Sequence, residues 1–161
     1  MAEYLTSYIA VYGYLAIFCV ILLQELGMPG LPNELVLFYF GYLSRKAGLS
    51  YPVVIGVAIL ADITGSYLLY LLFYYGKNIL ARIKPGWLRL PERKINSLKD
   101  KIASGKGLPI FFAKLTPFVR SYLPVVAGLL QVQQVFYARI ILLTAVIWSG
   151  GWITAGWLLH F

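Results

Sequence analysis

Long apolar runs, cut at a few places by charges and prolines, set the plan of this chain. Tyr4–Gln24 carries no charge over 21 positions, enough for one helix through a bilayer core about 30 Å thick. Glu25–Pro32 breaks that run with an acid, two glycines and two prolines. Leu35–Ser44 is then uncharged for only ten residues, too short to cross. It predicts the second arm of a re-entrant hairpin over 25–46. Ala47–Gly76 is a thirty-residue stretch whose single charge is Asp62, and predicts a tilted span over 51–76. Gly107–Leu123 is apolar again, but Pro109, Lys114, Pro117 and Arg120 interrupt it, which predicts a second hairpin over 107–131. Ile140–Leu159 is uncharged for 20 residues and predicts a last span over 136–159, with the first span over 4–24.

Residues 77–106 differ in kind. Ile79, Leu80 and Ile83, then Ile95, Leu98 and Ile102, recur at helical spacing among Lys and Arg. That pattern predicts amphipathic helices on a membrane surface. Pro85-Gly86 and Pro91 separate the pieces, and Trp87 suits an interfacial anchor.

The two halves repeat one layout. A broken charged segment, a short arm and a full span come in the same order, and Gly41-Tyr42-Leu43 corresponds to Gly128-Leu129-Leu130. Each half, taken as hairpin plus span, crosses once, so two in tandem have opposite orientations. The fold class read from the pattern is an all-α integral membrane protein forming a single membrane domain over 1–161. It has about three full transmembrane helices plus two re-entrant helical hairpins as an inverted repeat, with a basic amphipathic connector.

Composition agrees. The chain has 161 residues, 60% hydrophobic and only 12% charged, with mean hydropathy +0.76, against about 25% charged residues in soluble domains. Net charge is +8, but nine of the fourteen Lys and Arg fall between Lys77 and Lys106. A basic stretch between apolar segments marks the cytoplasmic side and favours anionic headgroups, so nucleic acid is not needed to explain the charge. Residues 77–106 in the cytoplasm leave Arg45 and Lys46 outside, a mild conflict with the positive-inside rule. Glu3, the lack of a basic n-region and the lack of a small-x-small site argue that the first apolar segment is retained. Cys19 is the single cysteine and reads as a small packing residue.

The candidate chemistry sits at the breaks. Glu25 and Glu34 flank Pro29 and Pro32; Lys114 and Arg120 flank Pro117, with Pro124 just beyond. Ionisable groups at membrane depth are costly and default to function. Two acids opposite two bases predict a polar cavity shared by the halves. Arg120 and Lys114 suit a phosphate. Glu25 and Glu34 are either counter-ions or proton carriers, and Asp62 either joins the site or braces a helix. Arg139 reads as snorkelling to an interface or starting the last helix. Glycines 65, 128, 150, 151 and 156 read as helix-packing positions. The tyrosines and tryptophans read mostly as interfacial or packing residues. His160 is the lone histidine, and metal sites need three or four ligands, so no metal or cofactor is expected.

These residues resemble the DedA family, also called SNARE-associated or VTT-domain membrane proteins. The family pattern of a Glu closing the first helix, a Pro-rich turn and a second acid matches Glu25, Pro29, Pro32 and Glu34. Its small-residue and Asp segment, with a downstream Tyr and Gly, matches Asp62, Gly65, Tyr67 or Tyr70, and Gly76. Its second signature matches Phe112 through Arg120, then Pro124 and Ala127-Gly128, with Phe136 and Trp148 leading into the last span. The resemblance covers roughly residues 15–155. Two departures stand out: the first basic position is usually Arg and here is Lys114, a point charge where Arg offers a fork, and the C-terminal extension of longer members is lacking.

What the resemblance implies is lipid transport in a bacterial plasma membrane, by a multi-pass protein moving undecaprenyl phosphate or a phospholipid such as phosphatidylethanolamine between leaflets, often with a link to the proton gradient. The lipid and the membrane are then the partners, no nucleic acid is involved, and a homo-oligomer is compatible. An enzyme acting on lipid phosphates is disfavoured, because the chain offers no Ser/His/Asp constellation. A non-transporting membrane adaptor explains the spans, but not four charges at matching breaks.

Overall fold

The computed structural model describes residues 2–27, 32–76, 100, 107–117 and 119–159. The expected connector over 77–106, apart from residue 100, together with Pro29 and His160, lies outside them. Among the described residues the protein is all-helical. Its helices are α1 (Ala2–Glu25), α2 (Asn33–Lys46), α3 (Tyr51–Tyr75), α4 (Gly107–Lys114), α5 (Val119–Leu129) and α6 (Gln134–Leu158).

Two of these, α3 and α6, are long and apolar enough to cross a membrane. Both run to 25 residues, and both are apolar on their outward faces as well as inside. Leu60, Leu68 and Leu72 on α3, and Leu142, Leu143 and Ile147 on α6, are exposed. Outward aliphatic side chains in such number mark a surface that faces something other than water. The apolar stretch described at the end of α1, Tyr12–Glu25, is shorter. Cys19 is exposed on it, so the packing role expected from sequence does not hold. In a chain apolar on all sides, hydrophobicity alone does not tell an inward position from an outward one.

The helices end where local chemistry stops them. Gly27 takes φ 90° just after α1, a conformation that glycine adopts freely. α2 and α5 close in the same way. Leu49 N–H donates to the Ser44 carbonyl at 2.9 Å, and Val132 N–H to the Ala127 carbonyl at 3.0 Å. In each case the preceding residue is left-handed, Gly48 at φ 66° and Gln131 at φ 51°. This is the Schellman stop, with its apolar residue one position further on. Pro32 is the N-cap of α2. Pro117 lies in the break between α4 and α5. Pro124, expected at a break, instead lies inside α5. It is the sixth residue of that helix, where its missing N–H leaves the Arg120 carbonyl without its usual intrahelical donor.

The long helices exchange their short partners. α1 and α5 pack on α3, while α2 packs on α6, and α3 meets α6 at the centre. Glycines set two of these crossings. A Cβ on Gly41 of α2 would run into the Ile153 carbonyl oxygen of α6, and one on Gly128 of α5 would stand 2.6 Å from the Tyr70 carbonyl oxygen of α3. Tyr70 and Ile153 are each the twentieth residue of their helix. A Cβ on Gly156 would likewise run into the Phe38 carbonyl oxygen. Small residues at these crossings let backbones touch, the usual basis of helix packing in lipid. Gly150 and Gly151 have nothing within 4 Å, so they do not serve as the packing positions expected of them.

Candidate functional site

Four charged side chains meet in the interior. Glu25 is the last residue of α1 and Lys114 the last of α4; Arg120 is the second residue of α5, and Asp62 lies mid-way along α3. All four are buried, at 1–3% exposure. They close a ring of ion pairs: Lys114 to Glu25 at 2.9 Å and to Asp62 at 3.4 Å, Arg120 to Glu25 at 2.7 Å and to Asp62 at 2.8 Å. Each acid touches both bases, and the formal charges cancel.

The helices bring these groups together at a cost. Glu25 sits at a helix C-terminus and Arg120 at an N-terminus, each opposed by the local helix dipole; only Lys114 has the favourable sign. Removing four charges from water is also expensive, and well-packed apolar residues often serve stability as well or better. Gly65 makes the approach of Glu25 possible, since a Cβ there would stand 2.6 Å from the Glu25 Cβ.

Hydroxyls complete the shell. Ser66 donates to Glu25 Oε2 at 2.6 Å and receives a hydrogen bond from Lys114 Nζ. Ser149 donates to Asp62 Oδ2 at 3.3 Å. Ser66 and Ser149 are each the sixteenth residue of their 25-residue helix, so the two spans offer one hydroxyl apiece from matching positions.

The two cations are used unequally. Lys114 directs Nζ at three groups, hydrogen-bonding Glu25 and Ser66 and ion-pairing with Asp62 at 3.4 Å. Arg120 makes both of its ion pairs through Nη2 alone. Its Nε and Nη1 are buried and have no hydrogen-bond partner among the described residues. The guanidinium lies over the Trp148 ring, 5.0 Å from its centroid. Trp148 Nε1 and the Tyr137 hydroxyl are likewise buried and unpartnered among the described residues. An orphaned buried donor costs about 1–3 kcal/mol, a cost carried here by Arg120, Trp148 and Tyr137 together.

Of the residues singled out in the sequence, Glu25, Asp62, Lys114 and Arg120 come together. Glu34 does not: it is half-buried in the first turn of α2, where an acid suits the helix dipole, and has no ion-pair partner among the described residues. Arg139 is exposed and lines a surface groove of about 330 Å³ with Tyr67, Gln134 and Leu142, apart from the quartet. Ser66, Ser149 and the Trp148 N–H are site groups that the sequence pattern does not single out. One signal for Ser66 exists, since Asp62, Gly65 and Ser66 share a helix face at i, i+3 and i+4. No group of three or more His, Cys, Asp or Glu that could hold a metal occurs among the described residues.

Comparison with known proteins gives a family. The VTT domain model matches residues 31–158. Undecaprenyl phosphate transporter A of Staphylococcus aureus is 28% identical over 160 residues, covering 97% of this chain and 78% of that protein. The uncharacterized membrane protein YbfM of Bacillus subtilis is 23% identical over 154 residues, with 96% and 94% covered. An uncharacterized membrane protein of Synechocystis is 26% identical over 120 residues, with 74% of this chain and 55% of that protein covered. No solved structure matches. With the family model covering most of its length, the chain belongs to the VTT-domain, or DedA, family.

Proposed function

We propose that this chain moves a phosphate-headed lipid between the leaflets of a bacterial plasma membrane. Undecaprenyl phosphate is the first candidate and a phospholipid such as phosphatidylethanolamine the second. One observation carries the reading: the quartet is buried and neutral, yet one of its cations keeps two N–H groups in reserve. A brace built for stability alone would use them. The name of the Staphylococcus aureus relative supports the same substrate class.

Guanidinium geometry gives a mechanism. Nη2 belongs to both usable forks, one shared with Nε and the other with Nη1. A phosphate that binds Arg120 through two parallel hydrogen bonds must therefore take Nη2 away from Glu25 or Asp62. The displaced carboxylate then faces an incoming anion in a low-dielectric interior, which favours its protonation. One phosphate charge and one proton enter together, and the quartet stays neutral. Lys114, paired with both acids, steadies the remaining one. Phosphate release reverses the exchange, and this couples lipid movement to a proton gradient.

The architecture we propose with it has α1, α3 and α6 as spans. The breaks between α1 and α2 and between α4 and α5 are the tips of two re-entrant hairpins in an inverted repeat. Residues 77–106 lie on the cytoplasmic face. Rocking one half against the other exposes the quartet to each leaflet in turn, while the lipid tail stays in the bilayer. The chain performs no bond chemistry on its lipid.

The test is leaflet exchange of labelled undecaprenyl phosphate and labelled phosphatidylethanolamine in proteoliposomes, with and without a pH gradient. Exchange of undecaprenyl phosphate, faster with the gradient, is the expected result. Exchange of phosphatidylethanolamine alone would move the assignment to the phospholipid. Folded protein that exchanges neither lipid would overturn transport and favour an adaptor.

A further inference from the structure

Trp148 has a role that the charged quartet does not account for. Its ring supports the Arg120 guanidinium at 5.0 Å. Its indole N–H, although buried, meets no acceptor among the described residues. Buried indole N–H groups usually find a partner, but the ring packs against an apolar core cluster and against Trp152, edge-on at 6.1 Å. Three unpartnered N–H donors, Arg120 Nε and Nη1 and Trp148 Nε1, thus lie within one cation–π pair. Because the guanidinium lies over the ring, its donors and the indole donor stand at different levels.

That offset selects a ligand shape. A carboxylate is planar and fits the guanidinium level alone. A phosphate monoester has oxygens at tetrahedral corners, so it reaches both levels at once. We infer that Trp148 is a headgroup-binding residue, whose indole N–H donates to a phosphate oxygen while Arg120 holds the others, and that this donor distinguishes phosphate-headed from carboxylate-headed lipids. The inference rests on the transport reading above and adds to it a second ligating side chain, from α6.

The test is binding to the purified full chain in detergent, with farnesyl phosphate and farnesoate as probes. Trp148→Phe keeps an aromatic platform and removes the N–H. Replacement of Trp148 by its sulfur isostere, benzothienylalanine, removes the N–H with the bicyclic shape intact. Farnesyl phosphate should bind both forms about tenfold more weakly, the loss of one hydrogen bond to a charged group, while farnesoate binding stays at the wild-type level. Should the Phe form fail a thermal-melt check of folding, the isostere decides. Wild-type affinity for farnesyl phosphate in the isostere overturns the inference, and so does an equal loss for both probes, which marks a packing role. Wild-type protein that binds neither farnesyl phosphate nor undecaprenyl phosphate overturns the transport reading itself, and the inference with it.

Discussion

The two helix breaks share a backbone plan and differ in chemistry. In both, a charged residue closes the first helix, Glu25 or Lys114, and the second position of the next helix is charged too, Glu34 or Arg120. Both short helices then carry a glycine against the opposite long helix and end in a left-handed turn. Yet the second break commits both of its charges to the buried quartet, and the first commits only Glu25. The missing acid comes from Asp62, inside α3. The scaffold is duplicated; the charge is not. Dipoles supply a reason: Glu34 is content at a helix N-terminus without an ion pair, while Arg120 at the same place needs its two carboxylates.

The hardest test of that comparison removes Arg120. Arg120→Ala leaves Glu25 and Asp62 buried with Lys114 alone, a net negative charge in a dry interior. Breaking a buried pair in this way costs about 3–5 kcal/mol, read as a fall in thermal-denaturation midpoint, and lipid exchange should stop. Adding Asp62→Asn restores neutrality, so the double variant should regain much of the stability but none of the exchange. Recovery of exchange in the double variant would reduce Arg120 to a counter-ion.

Glycine substitutions test the shared scaffold. Gly41→Ala and Gly128→Ala each drive a Cβ into a backbone carbonyl that has no side-chain freedom to yield, and the approach is closer at Gly41. Each should destabilise by about 1–3 kcal/mol, the usual range for overpacking, with Gly41 the worse of the two. Gly151→Ala, with open space around it, should melt like wild type. Equal midpoints for all three would remove the glycine contacts as the basis of the exchanged packing.

The same chemical change at the two acids of the first break comes next. Glu25→Gln deprives both cations of a carboxylate and should slow lipid exchange by at least about tenfold, since a charged hydrogen bond contributes roughly 1.5–3 kcal/mol. Glu34→Gln should shift stability by no more than about 0.5 kcal/mol, as substitutions away from such networks do, and leave exchange near wild type. Loss of exchange in Glu34→Gln would show that this acid meets the cluster in another conformation, and the contrast between the breaks would then belong to one state only.

How much of this is legible in the sequence follows from the physics of each signal. Charge inside an apolar run is conspicuous, so Glu25, Asp62, Lys114 and Arg120 stand out from the residue pattern alone. The two long apolar helices, α3 and α6, and the Gly41–Gly128 correspondence are readable for the same reason: breaks and small residues punctuate an otherwise uniform text. Rotation about a helix axis is not readable. Glu34 looks equivalent to Arg120 in sequence because spacing says nothing of which way a side chain turns. Cys19 looks inward because lipid-facing and core-facing positions are equally apolar. Ser66, Ser149 and Trp148 carry no charge, and their meaning depends on neighbours from other helices. The exchange of α2 and α5 between the long helices, a contact between distant segments, leaves no periodic trace.

The finest distinction concerns the matched hydroxyls. Ser66 and Ser149 hold the same position in α3 and α6, but Ser66 bonds Glu25 at 2.6 Å and accepts from Lys114, whereas Ser149 reaches only Asp62, at 3.3 Å. Ser66→Ala leaves one Lys114 N–H without an acceptor and weakens the hold on Glu25, at a cost of about 1–3 kcal/mol for a buried group left unsatisfied. Ser149→Ala removes one long bond from a carboxylate oxygen that Arg120 also holds, and should cost under about 1 kcal/mol. Thermal melts of the two variants, run together, read the difference. Equal losses would mean that the quartet leans evenly on both spans, and the asymmetry would then lie in the breaks alone. A larger loss at Ser149 would make the Asp62 side the firmer anchor, and Glu25 the carboxylate that yields when phosphate takes Nη2.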